Sequence, residues 1–512
     1  MQTPVVLEWL EWLGTWGQAH QTVLLWIVGG GMMVIIVGNI VGRRRGLQPT
    51  SHGSARWSTP REVARGGFST RHGVVAGQVA GTVYCDDGPT HVALFGPTRS
   101  RKGVCHIKPT LRWFWRKGSV LVTDPKNGEN YLGTAVDRRQ YGRVEAFAPY
   151  GAPQCCLNVG DTIRWGEPRE FDDALTIGQS LTAPRKMARE NEVSLHFREL
   201  AAMFLAAVQL HLGYTTGGCS LPLAWRFLTQ RKAKKRGGKL YETLDLMSKT
   251  PHAPQGVHMV IATITNALEA ITGERELGSV WSTAIRPLIL YNSPYVAAST
   301  ERSTLVLRDL QHGPDPIALY LLAPSPAAVK RLYPVYRVII DVALTRLMER
   351  EGDQKPEDFV HRLLLCGDEW PAYGYVPTVD AEVSTMAGYG IKGWFIAQDI
   401  PQFEETYGVD SALWGNTHCK LFHAPDNDTT AERISAHFLG EGTVEYAVLS
   451  QGRGGNTMTP HRVSRRLLTP DEVQMLAPHL GIGHVSGQGL RPFLFEKLGF
   501  DPHYKEGRQA AA

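Results

Sequence analysis

The hydrophobic positions of this chain fall into runs of two lengths, and each length predicts a different element. From Thr22 to Val41 the sequence TVLLWIVGGGMMVIIVGNIV carries no ionisable residue. At about 1.5 Å per residue such a run crosses a hydrocarbon core of about 30 Å as one helix. Trp26 near its start and Arg43-Arg44-Arg45 beyond its end are the residue types that anchor a helix at membrane interfaces. Residues 1–21 hold no Lys or Arg, so the charge asymmetry directs the N-terminus outward and everything after Arg45 into the cytoplasm. The upstream segment LEWLEWLGTW is interrupted by Glu8 and Glu11 and reads as interfacial, with a tight two-helix hairpin as the alternative.

The remaining apolar runs are short. His91 to Phe95, Ser119 to Thr123, Arg143 to Phe147, Pro316 to Leu322, Leu363 to Gly367, Trp394 to Ala397 and Lys420 to His423 have the length and β-branched content of buried strands. Several end on a turn or polar residue: Gly96, Asp124, Asp368 and Gln398. Strands of this kind separated by helical segments predict an α/β fold with a parallel sheet and a ligand at the strands' carboxyl ends. From Asp172 to Ser299 the period changes. HFRELAAMFLAAVQLHL places Leu200, Met203, Phe204, Ala207, Val208 and His211 on one helical stripe, and VHMVIATITNALEAI is a second helix. A long helix from Ala327 to Glu351 is expected to break or kink near Pro334. The organisation expected is a membrane anchor at 1–45 with its helix at about 22–41, a sheet domain at 46–171 and 300–500, an inserted all-helical domain at 172–299 and a tail at 501–512.

Composition changes this picture little. A net charge of +5 over 512 residues gives no global signal for nucleic acid, so any such surface is local. The densest basic run is Arg231, Lys232, Lys234, Lys235 and Arg236, a DNA-binding candidate by phosphate neutralisation or else a solvated loop. Seven cysteines with no CxxC spacing exclude a disulfide framework or zinc site and predict reduced, buried thiols.

The candidate chemistry sits at the strand ends. Gly96-Pro97-Thr98-Arg99-Ser100-Arg101-Lys102-Gly103 follows an apolar strand and precedes a helical segment, as a phosphate-cradling loop does, and Lys102 is placed to meet β and γ oxygens. It departs from the usual pattern in having Arg101 where Gly is expected and Gly103 where Ser or Thr is expected. Phosphoanhydride hydrolysis also needs a magnesium ligand and a group to orient the attacking water. Asp368 and Glu369 at one strand end fit those roles, and Gln398 at the next strand end fits a γ-phosphate sensor. In the window after Asp368, GYGIK offers Lys392 and no Arg; on its residues alone Lys392 reads as a solvated lysine at a strand start.

At this point the residues match a family. GPTRSRKGV, DPKNGENY, LLLCGDEWPAYG, AGYGIKGWFIAQD followed by PQFEETYG, and SRRLLTPDEVQML, with HGSARW just after the apolar segment, resemble in this order the TraG/VirD type IV coupling proteins. The resemblance runs from about residue 50 to 500. It implies a RecA-like P-loop ATPase related to FtsK and HerA motors, using ATP and Mg2+, with an inserted, membrane-distal all-helical domain and an N-terminal transmembrane helix. Such proteins sit in the bacterial inner membrane with the N-terminus periplasmic, assemble as hexamers, and bring relaxase-bound single-stranded DNA with its relaxosome, or protein effectors, to a type IV secretion channel. Position by position it implies Gly96 through Lys102, with Gly103 and Val104, as the nucleotide loop, Asp368 as the metal ligand, Glu369 as the catalytic carboxylate, Gln398 as the sensor and, in a hexamer, Lys392 as the available cation for completing a neighbouring subunit's site. Two other readings keep the residues and change the job: a FtsK/HerA-like DNA translocase not linked to secretion, and a membrane receptor or scaffold whose loop, with Arg101, no longer hydrolyses ATP.

Overall fold

A computed structural model of the chain describes residues 53–499 apart from 152–154, 188–190, 231–237, 254–255, 272, 351–354, 356 and 453–454. The anchor at 1–45, the basic run Arg231–Arg236 and the tail at 501–512 lie outside the described residues. The strands are β1 (Val74–Val79), β2 (Thr82–Asp86), β3 (Val92–Phe95), β4 (Ser119–Asp124), β5 (Arg143–Phe147), β6 (Ile317–Leu322), β7 (Leu363–Gly367), β8 (Ile391–Ala397), β9 (Cys419–Phe422), β10 (Glu441–Gly452), β11 (Gly455–Arg466), β12 (Leu480–Val485) and β13 (Phe493–Glu496).

Eleven of them form one sheet in the order β2-β1-β13-β12-β9-β3-β8-β7-β4-β6-β5. From β9 to β5 every pairing is parallel, and β3, β4, β7, β8 and β9 are buried along their whole length. That matches the unbroken apolar runs from which these strands were expected. Beyond β9 the pairing turns antiparallel through β12, β13, β1 and β2. This half was not expected, because glycines interrupt its strands. Phenylalanine rings of β13 fill those gaps: a Cβ at Gly481 would lie 2.3 Å from the Phe495 ring, and one at Gly483 2.2 Å from the Phe493 ring. The apolar surface missing from β12 is thus supplied across the ladder.

The chain between β5 and β6 is helical in its described elements, including Glu170–Thr182, Glu192–Thr216, Leu221–Thr229, Gly238–Lys249, Met259–Glu269 and Glu274–Leu288. Glu192–Thr216 starts at Asn191, whose side chain accepts from Ser194 N, and stops at Gly217 with φ +79°. It is the one described helix long and apolar enough to cross a membrane, yet half of its most apolar window is buried in protein. Its burial extends round the helix from Ala201 to Gly213 apart from Met203, as expected for a core helix. Glu170–Thr182 crosses it closely, since a Cβ on Gly178 would stand 2.5 Å from Ala202 O. The residues of this stretch and those of the sheet share one hydrophobic cluster. Helix Pro326–Met348 runs through Pro334 as one element, so no break appears there. All seven cysteines are free and buried.

β10 and β11 pair with each other alone and, with residues 53–55, form a unit of their own. Ser54 bridges to Gly442 and Ala55 N donates to Glu441 O at 3.1 Å.

Within the larger unit, Arg337 is a buried cross-link. It is 1% exposed and donates to Leu181 O at 3.1 Å and Pro184 O at 3.0 Å, while its guanidinium lies 5.2 Å from the Tyr333 ring centre. Arg337→Met keeps the volume and leaves those carbonyls unpaired, so it should cost about 2–4 kcal/mol of stability, read as a lowered urea midpoint.

Candidate functional site

β3 delivers its loop to the carboxyl edge of the sheet. Gly96 N donates to Ala397 O at 3.2 Å and His423 N to Phe95 O at 2.8 Å, pinning the loop's first residue between the ends of β8 and β9. A Cβ on Gly96 would lie 2.8 Å from Ser100 Oγ and 2.9 Å from His423 Cβ, so the loop closes over a position that admits no side chain. Arg99 and Arg101 have φ of +65° and +69°. Arg101 therefore adopts the left-handed angle for which glycine is the usual residue, at a cost of about 1–2 kcal/mol for an L-residue. The chain then winds from Lys102 into two π-helical turns, Gly103–Ile107 and Thr110–Phe114, with Pro109 between them. Lys102 is 6% exposed, and its Nζ curls back to donate to Gly96 O and, at 3.2 Å, to Pro97 O. Burial lowers its pKa, opposed by the nearby Glu369 and Asp368 carboxylates.

The carboxylates arrive from β7, two strands from β3. Asp368 is 4% exposed and Glu369 8%. Thr123 Oγ1 donates to Asp368 O at 2.9 Å, and Asn130 Nδ2 to Asp368 Oδ2 at 3.0 Å. Burial raises the Asp368 pKa to about 6, a rise that Lys126 limits and Glu369 reinforces. Glu369 stands at φ +51°, a second strained angle. Its carboxylate lies between Lys126 Nζ at 3.6 Å and Gln398 Nε2 at 3.2 Å. Burial lowers the Lys126 pKa, but Asp368 and Glu369 more than offset this, and the net shift is upward. Asp124, ending β4, accepts from Asn130 N and Tyr131 N at 2.9 Å through Oδ2.

Loop, carboxylates and glutamine are therefore gathered at neighbouring strand ends. Two buried oxygens here, Ser100 Oγ and Asp124 Oδ1, make no close hydrogen bond among the described residues. A cradle closed over a bare glycine, a buried lysine on its own loop carbonyls, a buried acid and orphaned oxygens together fit a phosphate group and a divalent cation.

A family model described as Type IV secretory system Conjugative DNA transfer matches residues 53–497. The chain belongs to this conjugative DNA transfer family. It is 30% identical over 513 residues to the conjugal transfer protein TraG of Escherichia coli, covering 90% of this chain and 78% of that protein. It is 25% identical over 458 residues to VirD4 of Rhizobium radiobacter, covering 85% and 62% respectively. Among solved structures, the plasmid coupling protein TrwB in complex with ADP and Mg2+ matches with a TM-score of 0.61 at 16% identity, over 86% of this chain and 93% of that one. This likeness shows the fold, a mixed α/β architecture with a large parallel sheet.

Two placements in this family member depart from the sequence expectations. Lys392 does not join the cluster. It lies at the start of β8, while Gln398 follows that strand's other end, and six residues of extended chain separate them by roughly 20 Å. It is 0% exposed and donates to Asp86 Oδ1 at 2.8 Å, Gly88 O at 2.8 Å and Thr90 O at 2.6 Å. It is thus not a solvated lysine but one side of a buried ion pair with Asp86. Conversely, Lys126 and Asn130, both in the DPKNGENY stretch, join the cluster although the sequence expectations do not include them. The signal available was a lysine two residues past a strand-ending Asp. His106 and His423, joined Nε2 to Nε2 at 3.0 Å beneath the loop, carried no such signal. Burial lowers both pKa values, that of His106 to about 4, so the pair is neutral at physiological pH.

Two outcomes are expected at this site. Between about pH 4 and 6 the folded chain keeps a proton on Asp368 that an unfolded chain has released, so its ionisation lowers stability as pH rises through that window. Asp368→Asn should therefore raise the unfolding midpoint of the nucleotide-free protein at pH 8, by on the order of 2 kcal/mol, a gain that shrinks below pH 6 and is gone near 4. Arg101→Gly should also stabilise, by up to about 1 kcal/mol, through relief of the left-handed backbone; thermal unfolding reads both.

Proposed function

We propose that this chain is a coupling ATPase that recruits relaxase-bound single-stranded DNA, or protein effectors, to a type IV secretion channel and drives transfer by ATP hydrolysis. The observation that carries the reading is the convergence of Lys102, Lys126, Asp368, Glu369 and Gln398 at neighbouring parallel strand ends in a member of this family. A bound ADP and Mg2+ in the solved relative TrwB supports the nucleotide assignment.

In this reading the N–H groups of the loop from Gly96 to Val104 and the Lys102 ammonium receive the β- and γ-phosphates. Lys102 leaves its loop carbonyls to do so. Asp368, steadied by Asn130, holds Mg2+, which would supply charge neutralisation on the phosphate oxygens. Glu369 orients the attacking water and accepts its proton, and its bond to Gln398 makes that glutamine the group that registers loss of the γ-phosphate. Lys126, 3.6 Å away, holds the Glu369 carboxylate in position. The helical stretch at 172–299 serves as the inserted domain, the segment at 22–41 as a single-pass inner-membrane anchor, and six copies as the working assembly. With Lys392 committed to Asp86, a cation acting on a neighbour's nucleotide must come from another residue.

ATP turnover by the full-length protein, measured with and without single-stranded DNA, tests this reading. Lys102→Ala and Glu369→Gln should each lower turnover at least about 100-fold while leaving the far-ultraviolet dichroism intact. Turnover unchanged in both variants would remove the motor and leave the receptor or scaffold reading.

A further inference from the structure

A second site lies in the helical half of the larger unit. A cleft of about 800 Å³ is bounded by the end of helix Glu170–Thr182, the start of helix Glu192–Thr216, helix Glu274–Leu288 and the first turns of helix Pro326–Met348. Among the described residues its lining includes Arg185, Lys186, Arg198, Arg286 and Arg331, and no Asp or Glu. Lys186 is paired with Glu405 at 2.5 Å, and the Arg185 guanidinium lies 5.3 Å from the Tyr333 ring centre. Arg286 and Arg331 are exposed and have no ion pair or hydrogen bond among the described residues. Cations gathered from four chain segments around one cavity repel one another and create a strongly positive field in it. A ligand with several negative charges relieves that repulsion, and the cavity's size exceeds what one phosphate needs. Aromatic rings among guanidinium groups are the combination on which the bases and phosphates of a single strand rest together.

The cleft wall is tied to the carboxylate end of β7. Tyr375 N donates to Arg185 O at 3.1 Å. Between Glu369 and Tyr375 lies one 3-10 turn, Trp370–Tyr373, then Gly374 at φ +77°, where a Cβ would stand 3.2 Å from the Tyr333 ring. On the other side, Arg337 clamps Leu181 and Pro184. The 181–186 wall is therefore joined to Glu369 through six residues of packed chain.

We propose that this cleft binds a segment of single-stranded phosphodiester chain and that its occupancy is transmitted to Glu369 through the Trp370–Tyr375 turn. The inference rests on the reading of this chain as a DNA-handling ATPase, and it is independent of the Arg231–Arg236 run. The test uses the full-length protein and the double substitution Arg286→Gln/Arg331→Gln, both at exposed positions outside the nucleotide site. Binding of a fluorescein-labelled single-stranded oligonucleotide is followed by anisotropy across a salt series, and ATP turnover is measured with and without the same strand. The variant should bind about tenfold more weakly, with a salt slope shallower by about 1.4, as expected for two lost phosphate contacts. It should keep the turnover measured without strand and lose its stimulation by strand. Unchanged affinity, slope and stimulation in the variant would overturn the cleft assignment while the wild-type binding upholds the DNA reading. A wild-type protein that binds no strand would overturn both. Inorganic tripolyphosphate provides the remaining arm: if the substitutions abolish its binding and leave strand binding intact, the cleft serves a free polyphosphate and the proposal fails.

Discussion

The proposed nucleotide site depends on the parallel register of β3, β8, β7 and β4. Phe95 lies opposite Ala397, Phe395 opposite Gly367, and Gly367 opposite Thr123. With that register, the residues just past each strand, Gly96, Gln398, Asp368 and Glu369, emerge along one edge beside Asp124 at the end of β4. A slip of one residue in any pair would turn its side chains to the opposite face of the sheet. Burial of these strands on both faces makes such a slip costly, so the apolar runs that build the core also hold the polar strand ends in place.

The charges at that edge are balanced among themselves. Burial disfavours the ionised forms of both Lys102 and Asp368, and each is nevertheless steadied by opposite charges nearby. Lys126 sits against Glu369, and Gln398 occupies that carboxylate's other oxygen. A phosphate arriving in the loop would draw on the lysines, and the carboxylates they balance would then favour a divalent cation. Lys392 and Asp86 use the same type of pairing at the opposite end of β8.

The packing of the helical half places a cationic cleft whose wall is hydrogen-bonded to Tyr375, six residues along the chain from Glu369. Arg337 and the Trp370–Tyr375 turn give that cleft a wall tied to the sheet edge. If the cleft takes a strand, binding and hydrolysis share one short mechanical path. The arrangement does not require the strand to approach the nucleotide.

Much of this was legible locally. Unbroken apolar runs predicted β3, β4, β7, β8 and β9, because a strand buried on both faces needs no partner's pattern to declare itself. Gly96, Lys102, Asp368, Glu369 and Gln398 were legible because loop and strand-end chemistry is written in consecutive residues. The antiparallel strands β12 and β13 were not, since the glycines of one become strand positions only when the phenylalanines of the other cover them. The burial of Lys392 was not legible because its partner Asp86 is 306 positions away, and proximity of that kind exists only after folding. Lys126 and Asn130, and the cleft's cations drawn from four segments, were inconspicuous for the same reason. The local chemistry of the strand ends was thus determined by the sequence alone; which charges meet, which are buried and which remain open to a ligand was decided by the tertiary structure, because electrostatic roles depend on distances between residues remote in the chain.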